Sequence, residues 1–188
     1  MKKVIKIVLI AVCLIGVTFI IACSEVRHRA KTEYQLGAKQ LKDKEYDKAF
    51  LYFRTVVDFY PAPFNKWYVM AEERIWELAA VYESKKEFRS AVRMHLYLMD
   101  RIINPAKPSG KWLEKCEKKI WDIAGQPSLN PGLSIELYKM IADWYYQTSL
   151  ALGKDSAYYK GFEEKQKKAF EKTMPTIPAA PAAPARQS

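Results

Sequence analysis

Apolar residues recur every three or four positions along most of the chain between residues 27 and 172. This spacing matches the 3.6-residue turn of an α-helix, with one side of each helix turned toward a core. Helix-breaking residues interrupt the pattern at six places, so the sequence predicts seven helices. Their expected spans are 27–43, 46–60, 66–84, 87–104, 110–125, 132–152 and 155–172. Pro105 after the fourth span and Asn130-Pro131 at the start of the sixth agree with these boundaries.

The first two helical pairs contain an internal repeat. In each pair two small residues are separated by twelve positions, and the second pair follows the first by 42 positions. The small residues are Gly37 with Ala49, and Ala79 with Ala91. Tyr46 and Phe88 each lie three residues before the second small residue. Small side chains let the two helices of a hairpin cross closely, and the aromatic ring fills the space beside the crossing.

This pattern resembles the tetratricopeptide repeat, which runs Leu-Gly, Tyr, Ala-x3-Phe and Pro. The first repeat matches at Leu36-Gly37, Ala49, Phe53 and Pro61. The second matches at Leu78-Ala79, Tyr82 and Ala91, and His95 stands in place of the Phe. A weaker third unit is indicated by residues 119–124, which echo residues 74–79. The resemblance implies an all-α fold over residues 30–172, a tetratricopeptide-like α-solenoid of about three helical hairpins plus a C-terminal capping helix.

The first 22 residues have the layout of an export signal, in which lysines precede a run of sixteen uncharged residues. The run ends in Ile20-Ile21-Ala22-Cys23, which resembles a bacterial lipobox. That resemblance implies cleavage before Cys23, attachment of acyl chains such as palmitate to Cys23, and a lipidated linker over residues 23–29. An uncleaved signal anchor stays open, although sixteen helical residues span about 24 Å and the hydrocarbon core is about 30 Å thick.

Cysteine and histidine content indicates a non-catalytic chain. With Cys13 removed and Cys23 acylated, Cys116 has no disulfide partner, and its neighbours Trp112 and Ile120 predict that it is buried. The two histidines are His28, expected at the surface, and His95, expected in the core. No nucleotide-binding, metalloprotease or serine-hydrolase motif is present. We therefore expect no enzyme, no cofactor, no metal site and no small-molecule substrate.

Charge narrows the class of partner only after the leader is taken into account. The net charge is +10, and removal of the three leader lysines would lower it to +7. Export makes nucleic acid an improbable partner, whereas the basic residues that follow Cys23 suit an anionic membrane surface. Solvated helix faces are the alternative interpretation of the charge, and the adjacent pairs Glu72-Glu73 and Glu163-Glu164 are expected to be such surface. Residues 173–188, with four prolines, are expected to form a disordered tail.

By register, Tyr34, Trp76 and Trp121 occupy equivalent places on the first helices of the hairpins, where a solenoid of this type binds partners. Packing between repeats is the competing explanation for these rings. Together with the lipobox, the repeats resemble the BamD type of outer-membrane-assembly lipoprotein. That resemblance implies a scaffold for envelope proteins or peptides at the periplasmic face of the outer membrane. Two alternatives stay open: a pilot subunit of one secretion or pilus system, and a signal-anchored subunit of an inner-membrane complex.

Overall fold

The computed structural model describes residues 23–60, 65–100, 103 and 111–174. These residues contain seven α-helices and no strand, which confirms the all-α prediction for the described part of the chain. The first helix, α1, covers residues 23–42. The others are α2 (Tyr46–Phe59), α3 (Lys66–Ser84), α4 (Phe88–Met99), α5 (Leu113–Ala124), α6 (Pro131–Leu152) and α7 (Tyr159–Glu171).

The helix boundaries differ from the predicted ones by three or more residues at four places, one of which is the start of α5, at Leu113 rather than at 110. Residues 23–29, predicted as a linker, are helical and belong to α1. Helix α4 ends at Met99 rather than at 104. Helix α7 begins at Tyr159 rather than at 155, because Gly153 takes a positive φ of 74° and residues 154–158 form turns. The predicted signal peptide, Pro61 and the tail from residue 175 lie outside the described residues.

The chain divides into two compact units, Met1–Cys116 and Glu117–Ser188, and the boundary falls inside α5. The described part of unit 1 holds α1 to α4 and the first turn of α5. Unit 2 holds the remainder of α5 with α6 and α7. Each unit buries its own set of apolar side chains, which for unit 2 includes Ile120, Leu137, Ile141 and Tyr145.

The two helical hairpins of unit 1 turn in the same way. Lys44 after α1 and Lys86 after α3 both take the left-handed backbone conformation, with φ of 60° and 62°. In the first turn the backbone N–H of Glu45 donates to the carbonyl of Gln40, at 2.9 Å. In the second turn Glu87 donates to Tyr82 at the same distance. This is the Schellman helix ending, and it recurs at the 42-residue offset that separates the two pairs of small residues.

Close helix crossing explains why a glycine occupies position 37. A Cβ built on Gly37 would lie 2.8 Å from a ring carbon of Phe53 on α2. That distance is shorter than real Cβ contacts, so any larger residue would push the Phe53 ring aside. Six of the repeat-motif residues are buried, and two are half-buried. The buried ones are Gly37, Ala49, Phe53, Ala79, Tyr82 and Ala91, and the half-buried ones are Tyr46 and Phe88.

Polar contacts connect α2 to α3 at both ends of the pair. The Tyr82 hydroxyl donates to the Asp47 carboxylate at 2.5 Å, and the Tyr82 ring meets the Tyr46 ring edge-on. At the other end the buried Asn65 side chain accepts from the backbone N–H of Trp67 and donates to the carbonyl of Tyr60. Asn65 therefore caps the start of α3 and satisfies the end of α2 with one side chain.

A carboxylate in the middle of unit 2 joins all three of its helices. Glu117 on α5 accepts a hydrogen bond from the hydroxyl of Tyr145 on α6 and pairs with Lys165 on α7, whose Nζ lies 2.6 Å away.

Helix α6 begins as predicted, with Pro131 in its first turn and the Asn130 side chain accepting from the N–H of Gly132. The hydroxyl of Ser134 donates to the last carbonyl of α5, that of Ala124, at 2.6 Å.

Candidate partner-binding surface

Trp76 on α3 is the most developed of the three aromatic positions that the sequence singled out. Its ring is half-buried. One face stacks on Trp112, with ring centroids 5.4 Å apart and planes inclined by 27°. His95 on α4 contacts Trp76 edge-on, at 4.9 Å. The indole is therefore held in place by neighbours from other parts of unit 1 while part of it stays accessible to solvent.

Trp112 and Glu72 are two buried residues next to Trp76. Trp112 is 4% exposed, and its indole N–H donates to Glu72 Oε2 at 3.1 Å. Glu72 is 2% exposed, and its second carboxylate oxygen has no hydrogen-bond partner among the described residues. Burial of a carboxylate without a cation is costly, so this arrangement depends on the Trp112 hydrogen bond and on the surrounding packing.

Two lysines border the same ring stack. Lys111 Nζ lies 4.8 Å from the centroid of the Trp112 ring and also pairs with Glu73, at 3.2 Å. Lys115 Nζ lies 6.0 Å from that centroid. Both lysines are exposed. We refer to Trp76, Trp112, Lys111 and Lys115 as the Trp76 surface. It combines a fixed, partly accessible aromatic ring with positive charge.

Tyr34, the predicted equivalent of Trp76 in the first hairpin, has a different environment. It is 6% exposed, and its ring packs against Phe53 and Trp67 at centroid distances of 5.4 and 5.2 Å. Its hydroxyl accepts from Arg74 Nε at 3.2 Å. Little of the Tyr34 ring is left for a partner, so its part in the predicted groove is limited to the hydroxyl and its arginine.

Trp121, the third predicted position, belongs to unit 2. It is half-buried, and its ring packs against Tyr138 of α6 at 5.5 Å. Lys168 of α7 lies 5.3 Å from the ring centroid, and the indole N–H points to the hydroxyl of Tyr145 at 3.4 Å. Each of the three aromatic residues thus contacts a different set of neighbours, and a shared groove stays a prediction.

Most of the side chains that could act in catalysis or bind a metal ion lie inside the core of unit 1. Cys116 is fully buried, as predicted, and this burial raises the pKa of its thiol well above the ordinary value, with a further rise from the nearby Glu72 carboxylate. His95 is buried as predicted, and His28 is exposed. Among the described residues, no group of three His, Cys, Asp or Glu side chains is arranged to hold a metal ion. A thiol that stays protonated is a poor nucleophile.

The sequence interpretation of Glu72 was wrong. The adjacent pair Glu72-Glu73 was expected to be solvated surface, and this holds for Glu73 alone. Glu72 lies three and seven residues before Ile75 and Ala79, on the buried side of α3. Its partner Trp112 is 40 residues away in the chain, and this separation explains why local pattern could not reveal the pair. The helical spacing itself was the available signal. The other acidic pair, Glu163-Glu164, is exposed as expected.

Cys23, the predicted lipid attachment site, is the first described residue and lies at the start of the described part of α1 with a half-buried side chain. Seven residues later Ala30 is fully buried, so the packed part of unit 1 begins close to Cys23 in the chain. Within the described ranges, none of the helices is both long enough and apolar enough to cross a bilayer.

Comparisons with known proteins give no relative from which to transfer a function. No family model matches the chain, and neither a curated protein nor a solved structure is significantly similar to it.

Proposed function

We propose that the chain is a non-catalytic, membrane-anchored scaffold that binds envelope proteins or peptides through a tetratricopeptide-like array of helical hairpins. The observation that carries this proposal is the repeated hairpin of unit 1. Its left-handed lysine, its Schellman hydrogen bonds and its buried small residues all recur at an offset of 42 residues. Repeated hairpins of this kind stack to present extended binding surfaces.

The Trp76 surface is the anchor point that we assign to a partner. An aromatic ring already fixed by stacking on Trp112 and by His95 loses little conformational entropy when a partner covers it. Lys115 beside it favours a partner segment that carries acidic side chains, whereas Lys111 is already paired with Glu73. The buried Cys116 and His95 are poorly placed for catalysis, and we propose a binding protein that works without cofactor, nucleic acid or small-molecule substrate.

The lipobox-like end of the leader supports acylation at Cys23 and a location at the periplasmic face of the outer membrane. Intact mass of the membrane-extracted chain tests this part directly. We expect a chain that begins at Cys23 and carries acyl groups, and we expect Cys23→Ala to abolish both changes. An uncleaved mass that is the same in the Cys23→Ala variant would contradict the lipoprotein proposal and favour the signal anchor.

Site-specific photocrosslinking in cells tests the scaffold. A crosslinking residue at Ala80, an exposed position one turn after Trp76, is expected to capture an envelope protein, and Trp76→Ala should abolish the capture. The matched control places the same residue at Leu51, which is 57% exposed on α2, where capture of that protein is not expected. Equal capture from both positions, or capture that survives Trp76→Ala, would contradict the assignment.

Deletion of the gene distinguishes two kinds of scaffold. A role in general outer-membrane assembly predicts that all outer-membrane barrel proteins decrease, whereas a pilot subunit of one secretion or pilus system predicts the loss of that one appendage.

A further inference from the structure

The exposed side of α1 carries a row of basic residues without ionic partners. Arg27, Lys31, Lys39 and Lys42 are all exposed, and Gln35 fills the gap between the second and third of them. We call these four residues the basic row. None of them forms an ion pair with an acidic side chain in the described part of the chain. Arg29, by contrast, is paired with Glu25 at 2.5 Å.

Helical geometry places the basic row on one side of α1. At 3.6 residues per turn its four members fall within an arc of about 120°, centred about 110° from the buried residues Ala30, Tyr34 and Gly37. The two acidic residues of α1, Glu25 and Glu33, fall outside this arc, as does Arg29. All the Arg, Lys, Asp and Glu residues on this side of the helix are therefore basic. On the opposite side acidic and basic residues are mixed.

We infer that α1 lies along the surface of the membrane and that the basic row binds the headgroups of anionic phospholipids. This inference rests on the proposed membrane anchor at or just before Cys23. Because α1 is already helical at Cys23, no flexible segment separates the anchor from the helix within the described residues. The anchor therefore holds the basic row at the surface, and the orientation of α1 decides how many of its charges reach it.

An upright α1 and a flat α1 differ in how far their basic residues lie from the membrane surface. If α1 stood upright on the membrane, Lys39 would lie about 24 Å above Cys23, beyond two screening lengths of about 10 Å at 0.1 M salt. Only Arg27 and Lys31 could then contribute. If α1 lies flat, all four members of the row meet the headgroups. Lys39 and Lys42, which reach the headgroups only in the flat state, are each expected to favour that state about fivefold, since a basic residue near an anionic surface contributes ~1 kcal/mol.

The experiment uses the full chain, extracted from membranes and reconstituted into vesicles of phosphatidylcholine with or without phosphatidylglycerol. A nitroxide label is placed at Gln35→Cys, inside the arc of the basic row, or at Leu36→Cys, on the other side of α1. Both positions are exposed, and Cys116 is buried and protected from labelling. Proximity to the surface is read from relaxation of the label by a nickel-chelating lipid.

We expect the Gln35 label, but not the Leu36 label, to lie near the lipid in the anionic vesicles at low salt. The contact should be lost in phosphatidylcholine alone and in about 1 M salt, where the screening length is about 3 Å. Substitution of Lys39 and Lys42 by Gln should reduce the flat population relative to the upright one about 25-fold. Lys39→Gln alone should reduce it about fivefold, whereas Arg29→Gln, which removes a charge outside the arc of the basic row, should not reduce it.

A Gln35 label that stays far from the lipid in anionic vesicles, or one that approaches equally in neutral vesicles, overturns the inference. So does an equal effect of Arg29→Gln and Lys39→Gln. Failure of the lipoprotein proposal is seen separately, because the intact mass of the same preparation reports whether Cys23 is acylated. An uncleaved chain would still be anchored just before Cys23, and once Cys13 and Cys23 are replaced by Ser the two labels would report the orientation of α1.

Discussion

Unit 1 and unit 2 are both helical, but different kinds of contact hold the helices together within each unit. In unit 1 the helices cross at small residues, as at Gly37 against Phe53, and each hairpin ends in the same left-handed turn. In unit 2 the helices meet around one carboxylate, Glu117, which binds Tyr145 and Lys165. Repeated close packing leaves a pattern in the sequence at a fixed offset, whereas a single polar centre leaves none. The internal repeat is accordingly clear between Gly37 and Ala91 and weaker at residues 119–124.

The largest expected contrast comes from adding one methyl group to a glycine in each unit. Gly37→Ala should lower the free energy of unfolding by about 1–3 kcal/mol, because the new Cβ displaces the Phe53 ring. Gly161→Ala in α7 should instead raise it by up to about 1 kcal/mol, since nothing lies within 4 Å and alanine favours a helix. Urea denaturation followed by circular dichroism measures both changes. Tolerance of alanine at Gly37 would show that the hairpin crossing is not tight.

A second matched pair removes one tyrosine hydroxyl from each unit. Tyr145→Phe in unit 2 should cost about 2 kcal/mol, because its fully buried hydroxyl donates to the Glu117 carboxylate. Tyr82→Phe in unit 1 should cost about 1 kcal/mol, because its partner Asp47 is exposed and water can replace the bond. Both are measured as shifts of the urea midpoint. If Tyr82→Phe were the costlier change, the view that unit 2 depends more on polar contacts would be wrong.

Alkaline pH should weaken unit 1 before unit 2. Burial raises the pKa of Cys116 in unit 1 and of Tyr145 in unit 2 above their ordinary values of 9.0 and 10.0. Above the ordinary value the unfolded chain releases a proton that the folded chain keeps. The free energy of unfolding therefore falls as pH rises, by up to about 1.4 kcal/mol per pH unit for each group.

Hydrogen exchange at a series of pH values can follow the two units separately. Protection in unit 1 should decrease from about pH 9, and protection in unit 2 from about pH 10, the usual ranges for a thiol and a phenol. The control is Cys116→Ala, which should be less stable at neutral pH but should delay the alkaline loss in unit 1. A Cys116→Ala protein with an unchanged onset would indicate that another group is responsible.

The smallest expected effect concerns the two repeated turns of unit 1. Lys44→Gly and Lys86→Gly should each raise the free energy of unfolding by about 0.5–1 kcal/mol, because glycine adopts the left-handed conformation without strain. Lys42→Gly, two residues before the first turn and still in α1, should lower it by a similar amount. Equal gains at both turns would support the equivalence of the hairpins, and a gain at only one would argue against it.

Much of the helical framework could be predicted from local pattern. The spacing of apolar residues predicted all seven helices, and Asn130-Pro131 marked the start of α6 as the structure has it. The buried state of Cys116 followed from neighbours four residues away on each side. These features depend on residues within one or two helical turns, which is the range over which helix formation and capping are decided.

Only the tertiary structure decided which polar residues are buried and which aromatic rings stay accessible. Glu72 looked like surface until Trp112 was placed against it, and Tyr34 and Trp76 share a register but differ in exposure. The contact between Glu72 and Trp112 joins residues 40 positions apart, and the formation of such a contact depends on how whole helices pack. The sequence by itself therefore determined the helices and the 42-residue repeat of this protein. Packing between distant segments determined the Trp76 surface, because side chains from α3 and from residues 111–115 must meet to build it.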